Sequence, residues 1–446
     1  MSTDSVLSAR RRTRLLIGGM AGNFIEFLDF AMYGLVATII AKTFFAEGDP
    51  TVALLSTFMV YATSFAVRPL GGVVLGRLGD RWGRKRVLAL TVSGMCVSTA
   101  LIGILPGYRV LGAGATALLV FCRIAQGFFA GGEFGSATSY ITESASEKPR
   151  AYWASWSVAS SYIGSATALL LFLLVSSVLP QSSFESWGWR LLFILSVPLG
   201  LVGTYIRHRL DESPEFLALQ SRSEETNSKA PSVGAVVRGH WKQIIKFVLI
   251  TASHSLPTYI LTGFFVTYLI VYVELPTSEA ASAVIVGKTL LIFTTIGAGW
   301  LNDRIGRKRS LIIGCLMLIP MMYVAFAIAH VGTLWSAIVA TCLLALSFPL
   351  VSSAMAVGMV EMFPIDLRVT ANSIGYNVGA SLFGGTAPLI ATFLIAETGN
   401  HYTVPTYVAI IALGSLVAGI FAYAPSPRSR GIGAPAETAT TKSEVC

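Results

Sequence analysis

Six ionisable side chains interrupt stretches that are otherwise apolar: Glu26, Asp29, Arg68, Arg123, Glu133 and Lys288. Glu26, Asp29 and Tyr33 fall at i, i+3 and i+7, so a helix places them on one face, with Asn23 one turn below. Counted from Arg14 at ~1.5 Å per residue, the two carboxylates lie roughly 18–22 Å along the segment, near the middle of a bilayer. Facing lipid there would cost several kcal/mol, so these acids must face a wet cavity or basic partners. A carboxylate held in low dielectric beside an arginine can take up and release a proton near the operating pH.

A second set follows the same logic. Arg123, Gln126, Ala130 and Glu133 trace one stripe at helical spacing, with Arg123 and Glu133 about 15 Å apart along it. Glu133 with Arg123 is the leading proton relay, with Asp29 and Glu26 behind it. The competing reading is that these acids only pair with Arg68, or with one another, to hold helices together. An anionic substrate needs cationic receivers in a low-dielectric cavity, and Arg123 and Lys288 are placed for it. Lys288 lies eleven residues, roughly 16 Å, before Gly299 and in the other half of the chain from Arg123. Tyr33, His254 and Asn377 are secondary donors. His254 reads equally as a satisfied core residue and Lys288 as a snorkelling or paired cation. Arg68, followed by Pro69, reads as a structural pair. The many Phe and Tyr read mostly as packing residues, with an aromatic cage for a quaternary amine as the other reading.

The elements that must carry these groups are membrane helices. The chain has 446 residues, of which 54% are hydrophobic and 12% charged, against roughly 25% charged in soluble domains. Segments of ~20 apolar residues occur about twelve times. They run over 15–45, 52–78, 87–106, 112–142, 152–180, 188–208, 243–273, 277–300, 310–329, 332–361, 370–397 and 401–423. The +9 net charge invites a nucleic-acid partner, but its distribution argues against one. With the N-terminus inside, cytoplasmic segments hold 26 of the 32 Lys and Arg, which is the positive-inside bias with both termini cytoplasmic. The first apolar run is too long for a signal peptide's core and reads as the first span.

The charged loop GRLGDRWGRKR at Gly76–Arg86 recurs 223 positions later as GWLNDRIGRKR at Gly299–Arg309. Glu143…Arg150 recurs 218 positions later as Glu361…Arg368. Such pairs mark a duplicated membrane protein of six plus six spans. The expected division is a tail (1–14), a six-helix bundle (15–208), a polar linker (209–242), a second bundle (243–424) and a Pro/Ser/Thr-rich tail (425–446). Five cysteines, Cys96, Cys122, Cys315, Cys342 and Cys446, lack metal spacing and any disulfide framework. No Walker loop, metal cluster or hydrolase constellation is present, so no enzyme activity, metal or cofactor is expected, and an ion gradient must supply the energy.

Twelve spans with two GxxxDRxGRKR loops resemble the major facilitator superfamily. GNFIEFLDFAMYG, RPLGGVVLGRLGDRWGRKR, RIAQGFFAGGEFG and WGWRLLFIL followed by RHRLDESPEF look like its metabolite–proton symporter family. GNFIEFLDF…ATIIAKTFF and FGGTAPLIATFL look most like the citrate–proton symporters, while other members carry proline and betaine, 2-oxoglutarate or shikimate. The resemblance implies an all-α fold of two bundles that expose a central site alternately to either side. It implies a cytoplasmic gate built from Asp80, Arg81, Arg84, Asp303, Arg304, Arg307, Glu143, Arg150, Glu361 and Arg368, with Asp80 as its pin. It also implies proton coupling at Arg123, which matches an RxxxG-type segment. The function expected on these grounds is proton-driven uptake, by a monomer in the plasma membrane, of a small carboxylate, citrate or another di- or tricarboxylate first. Zwitterions such as proline or betaine, then 2-oxoglutarate or shikimate, are the alternative, and a drug–proton efflux carrier is the remoter one.

Overall fold

The computed structural model describes residues 9–46, 48–82, 84–134, 138, 149–208, 233–363 and 368–422, and among these every regular element is helical. The first half contains α1 (Ala9–Leu35), α2 (Ala37–Phe44), α3 (Pro50–Trp82), α4 (Arg84–Ile104), α5 (Ala113–Ala130), α6 (Arg150–Val178), α7 (Trp189–Ile194) and α8 (Ser196–His208). The second half contains α9 (Val233–Tyr259), α10 (Phe265–Val271), α11 (Thr277–Ile305), α12 (Arg307–Ala329), α13 (Leu334–Ser347) and α14 (Pro349–Glu361). It closes with α15 (Arg368–Gly379), α16 (Ala387–Thr398) and α17 (Thr403–Ala422).

Ten stretches are long and apolar enough to cross a membrane, and α1 with α2 make a further one bent by 66°. The remaining expected passage is α4, whose apolar part is the shorter Ala89–Ile104. α9 begins at Val233 and continues through a kink at His240 (φ −130°) into the spanning part.

Local chemistry explains the breaks. Phe348 precedes Pro349, which disfavours α geometry, and at φ −122° it separates α13 from α14. Pro257 lacks an amide proton, and the helix slips into a π-turn at Ile260–Phe264 before resuming as α10. A second π-turn at Ala380–Gly385 joins α15 to α16. Gly306, in the second copy of the charged loop, turns the chain from α11 to α12 at φ +88°, where a side chain would be strained. Arg190 of the WGWR run donates to the carbonyl oxygens of Gly103 and Leu105, capping the end of α4 (Nη1 to Gly103, 3.1 Å).

Small residues set the closest approaches. Gly127 and Gly131, four apart on and just after α5, lie against the carbonyl oxygens of Ser64 and Arg68, four apart on α3. Equal steps in the same direction mean that the helices run parallel at backbone contact, the packing that small-xxx-small sequences permit. The two halves then meet at both ends of the molecule. On the face that carries both charged loops, Gly299 of α11 packs on Ala151 and Ser155 of α6. Towards the opposite face, Gly34 of α1 lies against the backbone of Gly263 in the π-turn.

This packing makes a stability prediction. A Cβ at Gly127 would sit 1.7 Å from the Ser64 carbonyl oxygen. Gly127→Ala should therefore destabilise the protein by about 1–3 kcal/mol, read as a lower melting temperature in detergent. Gly297→Ala, which meets nothing within 4 Å, should melt at or slightly above the parent temperature.

Candidate functional site

The interlocked α3 and α5 hold two arginines against the acids of α1. Arg68 Nη1 lies 2.8 Å from Glu26 Oε1, with both side chains fully buried. Arg123 Nη1 lies 3.8 Å from Asp29 Oδ2 and donates to Gln126 Oε1 at 2.8 Å. Gln126 in turn donates to Asp29 Oδ2 at 2.8 Å, and Thr99 of α4 donates to Asp29 Oδ1 at 2.7 Å. Asp29 is thus held by neighbours from two further helices.

Aromatic rings wrap both cations. The Arg68 guanidinium lies 4.1 Å from the Phe65 centroid and 4.6 Å from that of Phe30. That of Arg123 lies 4.1 Å from the Tyr33 ring and 5.2 Å from the Tyr61 ring. Across the half interface, Tyr259 stacks on Phe27 (5.6 Å) and meets Phe65 edge-on (4.9 Å). Tyr376 stacks on Phe134 at 4.3 Å with the rings within 5° of parallel. Arginine over a ring in a dry site is attracted by about 2 kcal/mol, so these rings replace part of the lost hydration.

Among the described residues, several buried polar atoms in this cluster lack a hydrogen-bond partner: Nε and Nη2 of both arginines, Glu26 Oε2, and the hydroxyls of Tyr61, Tyr376 and Ser64. Each such orphan disfavours the fold by about 1–3 kcal/mol unless water or a ligand meets it. Their concentration at the half interface marks the candidate site.

The other expected residues fall out as follows. Glu133 lies just beyond the end of α5 at Ala130, where Gly131 keeps right-handed helical angles and helix geometry resumes at Glu133. Glu133 accepts from Thr91 of α4 at 3.3 Å, with its charge within electrostatic range of Glu26. Lys288 is buried on α11, and among the described residues no carboxylate lies within ion-pair distance of it. It shares a face with Gly299, eleven residues or about three turns on, which packs against α6 of the other half. Tyr33 donates to the Thr57 carbonyl, and His254 Nδ1 meets the Ser352 hydroxyl at 2.8 Å within the second half. Asn377 donates to the Gly131 carbonyl at 2.7 Å, tying α15 to the end of α5.

On the loop face, Asp303 accepts from the backbone N–H groups of Ala151 (3.1 Å) and Tyr152 (2.9 Å), at the start of α6 in the other half. A carboxylate there meets the positive end of a helix dipole. Arg307 bridges Asp303 (3.0 Å) and both oxygens of Glu361 (3.0 and 3.1 Å). Arg304 stacks on Trp300 at 3.6 Å and on no acid, and Arg150 opens α6. Asp80, Arg81, Arg84, Glu143 and Arg368 have side chains outside the described residues. The latch that is visible therefore belongs to the second copy of the loop.

Sequence reasoning passed over Thr99, Tyr61, Phe65 and Tyr259. Phe65 was legible in principle, one turn before Arg68. Tyr259 was not, because only the folding of the second half onto the first brings it there.

Residues 19–376 match the profile described as Major Facilitator Superfamily. The chain is 33% identical to the ectoine/proline transporter ProP of Corynebacterium glutamicum, over 90% of this chain and 82% of that one. It is 29% identical to the glycine betaine/proline/ectoine/pipecolic acid transporter OusA of Dickeya dadantii (94% and 84% covered) and 32% identical to the shikimate transporter of Escherichia coli (91% and 93%). A partially occluded, inward-open structure of the Escherichia coli xylose transporter XylE superposes with a TM-score of 0.71 at 17% identity, covering 93% of this chain and 97% of that one. That likeness concerns the fold alone. The expected leaning towards citrate carriers finds no support in these relatives.

Asp303→Ala should remove the bridge to α6 and destabilise the protein by about 1–2 kcal/mol, as loss of a helix cap does. An unchanged melting temperature in detergent would mean that the bridge contributes nothing.

Proposed function

The chain belongs to the Major Facilitator Superfamily, and we propose that it is a proton-coupled symporter that takes up a small zwitterion bearing one carboxylate, of the proline and betaine type. The observation that carries this reading is that both buried arginines already face an acid. A di- or tricarboxylate entering the site would meet Glu26 and Asp29 beside every arginine it approached, and that repulsion is severe in low dielectric. A zwitterion has no net charge to balance, and its cationic nitrogen suits the rings of Phe30, Tyr33, Tyr61 and Phe65. The transported solutes named for two of the relatives, ectoine, proline and glycine betaine among them, support the same class. Lys288, a buried cation with no acid beside it among the described residues, favours one further reading, a monocarboxylate such as the shikimate named for another relative.

The proton is carried by the acids of the first half. Glu26, Asp29 and Glu133 are three carboxylates to the two arginines Arg68 and Arg123, so one proton brings the group to neutrality. Glu133, buried within electrostatic range of Glu26 and bonded by Thr91, is the carrier of choice, with Asp29 and Glu26 behind it. Asp303, Arg307 and Glu361 hold the cytoplasmic side shut, in an orientation with both termini cytoplasmic in the plasma membrane, and the chain acts as a monomer.

In proteoliposomes with an acidic exterior, labelled glycine betaine or proline should accumulate while labelled citrate stays at background. Citrate accumulation without betaine uptake would overturn the reading. Glu133→Gln should retain betaine exchange at equal pH and lose accumulation driven by the gradient, and retained accumulation would move the proton to Asp29 or Glu26.

A further inference from the structure

The two buried ion pairs are built differently. Asp29 is met by Thr99, Gln126 and Arg123, so both of its oxygens are occupied by fixed neighbours. Among the described residues, Glu26 has the 2.8 Å contact to Arg68, and neither of its oxygens accepts a well-formed hydrogen bond. On the other side of that contact, Arg68 keeps Nε and Nη2 unpartnered. A pair meant only to hold α1 to α3 would be dressed as Asp29 is. The pair also faces the other half: Tyr259 and Tyr376 of the second half lie within electrostatic range of Arg68, the Tyr259 hydroxyl within its hydrogen-bonding reach and the Tyr376 hydroxyl buried with no hydrogen-bond partner among the described residues. Their rings are fixed by N-half aromatics, Tyr259 between Phe27 and Phe65 and Tyr376 on Phe134.

We propose that the Glu26–Arg68 pair is the substrate receptor and that the zwitterion binds by inserting into it. The substrate carboxylate takes the Arg68 guanidinium together with the hydroxyls of Tyr259 and Tyr376. The cationic nitrogen takes the Glu26 carboxylate. This inference rests on the zwitterion reading above and assigns it residues. One ion pair is exchanged for two, with no net charge brought in, so neither partner is left bare in low dielectric. Because the acid and arginine belong to one half and the phenols to the other, an occupied site draws the halves together. When the site is empty the pair closes on itself, and the unloaded carrier can return without an exposed charge. The arrangement also sets specificity, since an anion lacking the positive nitrogen leaves Glu26 facing its carboxylate unpartnered.

The test uses the full-length purified chain and equilibrium binding of labelled glycine betaine. The competitors are unlabelled glycine betaine and 3,3-dimethylbutanoate, its carbon isostere without the positive nitrogen. The parent protein should prefer glycine betaine by about tenfold or more, the effect of one charge-assisted contact. Glu26→Gln should abolish that preference. Tyr259→Phe and Tyr376→Phe should each weaken both ligands by about tenfold and leave the preference intact. The phenylalanine variants keep the stacked rings, so they test the receptor even where Glu26→Gln fails to fold. A preference that survives Glu26→Gln, or phenylalanine variants with parental affinity, would overturn the assignment. A parent protein that binds citrate and not glycine betaine would instead overturn the substrate class itself.

Discussion

Charge matching inside a dry helix bundle is the constraint on which the structure depends. Glu26, Asp29, Arg68 and Arg123 are all buried to within 2% of full enclosure, and none of them is tolerable there alone. Each therefore dictates where another helix must stand. The Gly127/Gly131 stripe brings α3 and α5 to backbone contact and presents Arg68 and Arg123 side by side to α1. Remove the glycines and the arginines move out of reach of their acids. Remove the acids and the close packing would bring two cations together. The backbone approach and the electrostatics thus specify the same arrangement.

The halves use a different physics to meet each other. Among the described residues, the polar contacts that cross between them are hydrogen bonds without an ion pair, set beside aromatic stacks and the helix packing of α11 on α6. Asn377 with Gly131, Tyr376 on Phe134 and Asp303 at the start of α6 are of this kind. Each is weak enough to break, and none leaves a charge stranded when it does, since Asp303 retains Arg307. The strong buried pairs lie inside the first half and survive any relative motion. That division suits a carrier whose two bundles separate and reunite around a central site while each bundle stays intact. The bends at Pro257 and the following π-turn, and at Ala380–Gly385, fall in the segments of the second half that line this interface.

The second copy of the duplicated charged loop shows what such a sequence can do. Both copies carry the Asp and the glycines, yet the visible bridge is made by Asp303, because α11 packs on α6 and so brings that carboxylate to its first amides. Glu361 and Arg307, from repeats of different motifs, complete it. The repetition establishes that such a bridge can form at a given register. Which amide ends a carboxylate reaches is a matter of the packing.

By itself the sequence determined the helical fold, the passages, the six-plus-six duplication and the set of buried charges, because hydropathy, helical spacing and the penalty on intramembrane charge act locally along the chain. Glu26 and Asp29 could be placed on one face near mid-membrane from spacing alone. Tertiary structure alone decided which charge meets which. Spacing put Arg123 and Gln126 on one stripe, but only packing showed that Gln126 would tie that stripe to Asp29 of α1. Arg123 then went to Asp29, Arg68 to Glu26, and no free pair of arginines remained to receive a polyanion. Partner choice between helices far apart in sequence depends on angles and distances of closest approach, which no local periodicity encodes.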